Sequence, residues 1–222
     1  MQNILLIYPE VPPSYWSEKY ALEFIKTKAP LPPLGLLTLA AYFPRHCQLR
    51  LVDMNVEPLL DEDLDWAECA FVSAMIVQRD SFAVVVERCR KKALPIVAGG
   101  PYPSVYYEEI PNVDYLVLGE AEDVFEDFFA SLENGSASRI TKPPTGANGI
   151  TKKPDMSSAR LPRYDLVDLR YYGSVALQFS RGCPFDCEFC DITQLYGRVP
   201  RTKTNDQIIA ELQLLYDCGW RR

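Results

Sequence analysis

The sequence predicts an α/β protein in which a doubly wound parallel sheet over residues 1–135 is followed by the opening strand, loop and helix of a second unit. Three observations predict it. Short continuous apolar runs, the mark of strands buried on both faces, alternate with longer stretches of helical period. Residues 136–162 are polar and rich in Pro, Thr and Lys, so residues 136–170 read as a linker or an extended excursion between domains. A fresh apolar run at 174–180 then leads straight into Cys183, Cys187 and Cys190, three of the seven cysteines, spaced C-x3-C-x2-C, and places the second domain at 171–222.

The elements follow in order. Residues 3–8 are a buried strand ending at Pro9. Trp16, Tyr20 and Phe24 recur every fourth residue, which suits either a helix laying an aromatic stripe on the core or the wall of a ligand cavity. Pro32-Pro33 opens a helix carrying Leu34, Leu37, Ala41 and Tyr42 on one face, and Pro44 stops it. Strands are predicted at 48–54, 70–76, 96–98 and 115–118. Between the third and fourth strands lies a helix over 80–93, capped by Asp80 or Ser81, with Val84, Val85 and Cys89 apolar. Its Arg88, Arg90, Lys91 and Lys92 form a solvated face that complements the helix dipole. After the fifth strand, Val124, Phe125, Phe128, Phe129 and Leu132 share one helix face, terminated by Asn134-Gly135.

This topology states where a ligand belongs. Open α/β sheets bind ligands beyond the carboxyl ends of their strands. The candidates there are Tyr8 and Pro9, then Ser73, Ala74, Met75, Val77 and Gln78, then Gly99, Gly100 and Pro101, and finally Gly119 and Glu120. Gly99-Gly100 suits close backbone approach to a bulky ligand, and equally suits plain turn chemistry. No G-x-G-x-x-G follows the first strand, which disfavours a nicotinamide cofactor.

Composition narrows the function. With 48% hydrophobic and 24% charged residues the chain is globular, and 23 basic against 30 acidic residues, net −7, argues against a nucleic-acid surface. The most apolar segment, 34–43, is half of the roughly 20 residues a membrane span needs. Met1-Gln2-Asn3 runs directly into a strand, so no signal peptide is expected. An odd number of cysteines, four of them scattered, fits a reducing cytoplasm.

The second unit carries the chemistry. Cys183, Cys187 and Cys190 lie on one short loop and can bring three thiolates to one metal centre, leaving it one ligand short. A structural zinc would need a fourth ligand, for which Cys218 is the candidate; an iron–sulfur cluster could leave one iron open for a substrate or cofactor. Arg198, Arg201 and Lys203 follow the loop and either meet a carboxylate or phosphate or are solvated. Thr204 to Gln207 form a capping box, opening a helix with Ile208, Ile209, Leu212 and Leu215 inward and Gly219 at its end. Cys69 and Cys89 read as small core residues, Cys47 as a turn neighbour and His46 as a surface or turn residue.

The cysteine spacing, with Phe189 just before the third cysteine, resembles the signature of the radical S-adenosylmethionine enzymes. The preceding α/β domain is similar to the Rossmann-like cobalamin-binding domain of one branch of them. Pro32-Pro33-Leu34-Gly35-Leu36-Leu37-Thr38, residues 73–81 and residues 200–204 resemble, more narrowly, the hopanoid C-2 methylase group. The resemblance implies a [4Fe-4S] cluster on Cys183, Cys187 and Cys190, S-adenosylmethionine on its fourth iron, and cobalamin as a methyl carrier. Phe189 then packs near the adenine or fills the barrel mouth. The D-x-H-x-x-G motif is absent, so the cobalamin is expected without a protein histidine ligand. A methyltransferase acting on an unactivated carbon of a lipid-like, hopanoid-type substrate is implied, in the cytoplasm, with a flavodoxin- or ferredoxin-type electron donor and peripheral membrane contact. The readings beside it are a non-catalytic corrinoid- or cluster-binding module and a radical S-adenosylmethionine enzyme of another reaction type. Residues 174–222 hold one strand and one helix of a TIM-type barrel that takes about 200 residues or more, so this chain alone is expected to be inactive.

Overall fold

The computed structural model describes residues 1–145, 151–185 and 187–221; the side chain of Trp16 also lies outside the description. Six strands form one parallel sheet: β1 (Asn3–Tyr8), β2 (Gln48–Asp53), β3 (Cys69–Ser73), β4 (Ile96–Gly99), β5 (Tyr115–Val117) and β6 (Ile140–Thr141), in the spatial order β2-β1-β3-β4-β5-β6. Strand β1 pairs on both sides, Ile4 opposite Leu49 and Cys69, and its Ile4, Leu5, Leu6 and Ile7 are wholly buried. A strand covered on both faces has no polar side to expose, which is why its sequence shows no alternation.

Helices cover both faces. Helix α1 (Lys19–Ile25) is short and lies at the edge of the strand ends, whereas α2 (Leu34–Ala40) packs Leu36 and Leu37 on Ile4, Leu6 and Phe71. On the opposite face, α3 (Asp61–Trp66), α4 (Arg79–Lys91) and α5 (Pro101–Tyr106) cover Leu5, Ile7, Val72 and Ala98. Helix α6 (Phe125–Glu133) returns to the α2 face, and Gly135 at φ 69° follows its end. There Phe43 makes edge contacts with Phe71, Phe125 and Phe129 at centroid distances of 5.0, 4.8 and 5.1 Å. The doubly wound sheet predicted from the sequence is therefore the fold observed.

Several local expectations are corrected. The aromatic stripe of α1 does not face the core: Tyr20 and Phe24 are exposed and Leu22 is buried. The helix has only seven residues, ending at Lys26 in the left-handed region, and one turn-spaced apolar side chain anchors it. Helix α4 begins at Arg79 with Gln78 at its N-cap and no side-chain cap, and Phe82, Val85, Val86 and Cys89 face inward while Val84 is exposed. Its basic end is only partly a solvated face. Arg88 donates to Leu59 O and Asp61 at 2.6 Å each, and Lys92 to Asp65 at 2.7 Å, so both pin α3.

The predicted first barrel strand is not present as such. Residues 174–179 form no strand, and β7 (Ser180–Arg181) pairs antiparallel with β8 (Arg201–Thr202). A parallel strand needs a neighbour brought round by a crossover, whereas the nearby return of the chain supplies an antiparallel partner at once. Between them lies α7 (Ile192–Tyr196), and beyond them α8 (Asn205–Asp217), whose Thr204 cap and reciprocal Gln207 form the predicted capping box. The inward face of α8 differs from expectation: Leu215 and Glu211 are buried, and Ile209 and Leu212 are exposed.

Residues 136–170 lie against the sheet domain. Ile140–Thr141 extend the sheet as β6, Met156, Tyr164 and Leu169 are buried, and just beyond, the Tyr172 hydroxyl donates to Asp53 at 3.0 Å. Among the described residues no helix is long and apolar enough to cross a membrane.

Candidate functional site

Two adjoining clefts open beyond the carboxyl ends of β1, β3, β4 and β5, of about 160 and 580 Å³. The smaller descends between α2, at Leu36 and Leu39, and the sheet, at Phe71, Val97 and Val117. The larger spreads over the Pro-rich run at 30–33 towards Tyr8 and Asn55. The strand-end loops bring nine predicted residues to these walls. Tyr8, Ala74 and Met75 face the larger cleft, Gly99, Gly100, Gly119 and Glu120 the smaller, and Ser73 and Pro101 both.

Pro9, Val77 and Gln78 do not line either cleft. Gln78 is fully buried and staples two loops, donating from Nε2 to Pro9 O and accepting at Oε1 from Met75 N at 2.8 Å. Burial beside it pushes the Tyr8 hydroxyl up to about 12, with the Asp53 carboxylate adding to the shift. Val77 is exposed at the turn that follows β3.

The glycines are more than turn residues. Gly100 sits at φ 86°, and a Cβ there would come within 2.3 Å of Ser73 Oγ. Ser104 Oγ donates to Gly100 O at 2.7 Å and accepts from Gly119 N at 2.8 Å, tying the two glycine loops together. The apolar walls, with backbone exposed where a side chain cannot fit, suit a bulky ligand approached by main chain. His46 is remote from these walls, bonded to Glu133 Oε1 at 2.9 Å, which also accepts from the Met1 ammonium.

The cysteine loop hangs from the β7–β8 pair. Cys183, Cys187 and Cys190 are free thiols, Cys187 exposed and the others half-buried. Cys183 N donates to Gly197 O and Cys190 N to Cys187 O, each at 3.0 Å. Gly182, at φ 98°, lies so close to Val199 that a Cβ would be 2.5 Å from its carbonyl oxygen. Three thiols on one loop are the donor set an iron–sulfur cluster takes, and they fit it chemically. Among the described residues, however, no three metal-ligating side chains are drawn together into a closed site. Phe189 is 92% exposed, and Phe185 is exposed as well.

Sequence reasoning missed the groups that join loop to cleft. Arg181 and Tyr196 line both clefts, yet stand two residues before Cys183 and six after Cys190. Arg181 Nη1 donates to Glu120 Oε2 at 2.9 Å, and Arg201 Nη2 to Glu120 Oε1 at 2.7 Å. Of the basic run left open in the sequence, Arg201 therefore meets a carboxylate, as does Lys203, which is buried against Glu211. Nearby, burial pushes the Lys153 ammonium down, against the opposing pull of Glu120. No linear motif marks Arg181; only its contact with Glu120, in the loop after β5, reveals it.

A protein-family comparison matches residues 24–129 to the B12 binding domain. These residues are similar to that domain. The smaller cleft is walled by matched residues together with Arg181 and Tyr196, whereas the larger also takes Tyr8, Lys19 and Leu22 from before the matched region and Gln178, Arg181 and Tyr196 from after it. Whole-chain comparison extends the likeness beyond the matched residues. The chain is 43% identical over 220 residues, 98% of its length, to an uncharacterized methyltransferase of Synechocystis sp., of which it covers 40%. It is 36% identical over 222 residues, 99% of its length, to the hopanoid C-2 methylase of Rhodopseudomonas palustris, covering 41% of that protein. It is also 30% identical over 200 residues, 77% of its length, to the anaerobic magnesium-protoporphyrin IX monomethyl ester cyclase of Synechocystis sp., again covering 40%. The resemblance read from the motifs is thus borne out, and the chain spans about two fifths of the length of these curated relatives.

Proposed function

We propose that the chain is the cofactor-binding part of a cobalamin-dependent radical S-adenosylmethionine methyltransferase that acts on an unactivated carbon of a lipid-like, hopanoid-type substrate. One observation carries the reading: Arg181 and Tyr196 belong at once to the flanks of the C-x3-C-x2-C loop and to the walls of the clefts on the B12-binding domain. Cys183, Cys187 and Cys190 would hold a [4Fe-4S] cluster that leaves one iron for S-adenosylmethionine. The strand-end loops at 73–75 and 99–101, with Gly119, would hold the corrinoid. Bound there, the cluster with S-adenosylmethionine supplies hydrogen abstraction, and cobalamin supplies a transferable methyl group. The chain's own residues orient these groups and shield them from water: Gly100 and Gly119 permit close approach, Gln78 fixes the loop beneath, and Arg181 and Tyr196 wall the junction. A flavodoxin- or ferredoxin-type donor, a cytoplasmic setting and contact with a membrane surface complete the proposal.

The test is reconstitution without oxygen using iron, sulfide and hydroxocobalamin. An iron–sulfur visible and EPR spectrum together with a bound corrinoid spectrum is the expected result; bound zinc, or no corrinoid uptake by folded chain, would overturn it. The cyclase relative favours a second reading, an enzyme of the same cofactor class with another reaction. Following an isotopic label from the S-adenosylmethionine methyl group into product, with the full-length enzyme, separates the two.

A further inference from the structure

We propose that Glu120 is a positioning residue: it clamps both strands flanking the cysteine loop and so sets the spacing between that loop and the cleft of the B12-binding domain. The identity of what the loop and cleft hold rests on the proposed function; the clamp itself rests on the following geometry.

Arg181 and Arg201 are directly opposite partners in the β7–β8 pair, which has only one other registered pair, Ser180 with Thr202. Like charges facing each other across an antiparallel pair repel, and a two-residue ladder has little else to hold it. Glu120 resolves this. Its side chain is only 2% exposed, and it accepts from Arg181 Nη1, Arg201 Nη1 and Arg201 Nη2 at 2.9, 3.1 and 2.7 Å. Glu122 reaches Arg181, while the other guanidinium contacts of Arg201 are to the carbonyls of Pro154 and Tyr196. One buried carboxylate therefore bridges both cations, with Glu122 as a second carboxylate on Arg181 and Lys153 Nζ lying 3.9 Å from Glu120 Oε1. Glu120 follows Gly119 at φ 73°, directly beyond β5 and on the wall of the smaller cleft. Its carboxylate is engaged by the loop's strands, so its role toward a bound corrinoid is to hold the loop in place rather than to touch it.

The experiment compares the 222-residue chain with Glu120→Gln, which keeps the shape and removes the charge, and with the double variant Glu120→Gln/Arg201→Met, which also removes one opposed cation. Hydrogen exchange needs no cofactor. In Glu120→Gln, exchange at 180–203 should rise about tenfold or more while β1, β3 and β4 stay protected, and the double variant should recover part of that protection. Unchanged exchange at 180–203, a rise spread over the whole sheet, or a double variant no better than the single would overturn the clamp. If Glu120→Gln does not fold, Arg201→Met reads the clamp from β8: raised exchange at 200–203 supports it and unchanged exchange refutes it. The cofactor arm is spectroscopic. With cluster and cob(II)alamin both loaded, reduction of the cluster should speed relaxation of the corrinoid EPR signal in the native chain, and this should be lost in Glu120→Gln samples matched to it in bound iron and corrinoid. A native chain that takes up neither cofactor overturns the proposed function, and the exchange data still decide the clamp. A native chain that takes up both, with relaxation unaltered by Glu120→Gln, overturns the positioning role alone.

Discussion

Gly182 shows how a single position carries the loop. Its φ of 98° and the 2.5 Å approach to Val199 O leave no room for a side chain. Gly182→Ala should destabilise the β7–β8 turn by about 1–3 kcal/mol and lower the iron bound per chain after reconstitution, measured by iron assay against unaltered far-UV circular dichroism. Gln78 acts similarly beneath the cleft. Gln78→Leu leaves Pro9 O and Met75 N without their partners and should cost about 1–3 kcal/mol in urea unfolding. Tyr8 gives a pH dependence. Burial raises its hydroxyl from the ordinary 10.0 to about 12 in the folded chain. Its stabilising contribution is thus fully present below the unfolded value and is lost as pH rises through about 12. Tyr8→Phe should therefore flatten part of the alkaline loss of stability between those values, read as the urea midpoint at successive pH.

At the scale of elements, α6 was legible because five apolar residues share one face and Asn134-Gly135 ends it, and α8 because its capping box is local. Phe129→Ala, in the aromatic cluster with Phe43, should cost about 3–5 kcal/mol, seen as a lowered midpoint with an unchanged slope in denaturant. Thr204→Ala should cost about 1 kcal/mol through loss of the cap. The inward faces of α1 and α8 were misread for a common reason. Periodicity names an apolar stripe but not what lies beneath it. Leu22 alone anchors α1, and Glu211 takes an inward position on α8 because Lys203 is buried beside it. The strand expected at 174–180 failed differently, since a strand exists only where another chain segment pairs with it.

Across the whole molecule, function depends on loops distant in sequence converging. Gly100→Val would drive a branched side chain into Ser73 and towards the cleft, at a φ such residues rarely adopt. It should abolish hydroxocobalamin uptake, followed by its visible spectrum. Nine of the predicted residues reach the clefts because strand ends of a parallel sheet share one edge, a property of the topology and hence readable from the strand pattern. Arg181, Arg201 and Tyr196 were not readable, since their partners lie in another part of the chain.

The sequence by itself determined the parallel sheet, its helical cover, the edge at which the clefts open and the three thiols of the cysteine loop. Each of these follows from periodicity, composition or short spacing, which act over neighbouring residues. Tertiary structure alone decided which helix faces are buried, that 180–181 pair with 201–202, and that Glu120 bridges two facing arginines. Those outcomes depend on burial and charge pairing between segments some 60 to 80 residues apart, from Glu120 to Arg181 and to Arg201. Long-range pairing of this kind leaves no local trace in the chain, because each partner alone reads as an ordinary surface charge.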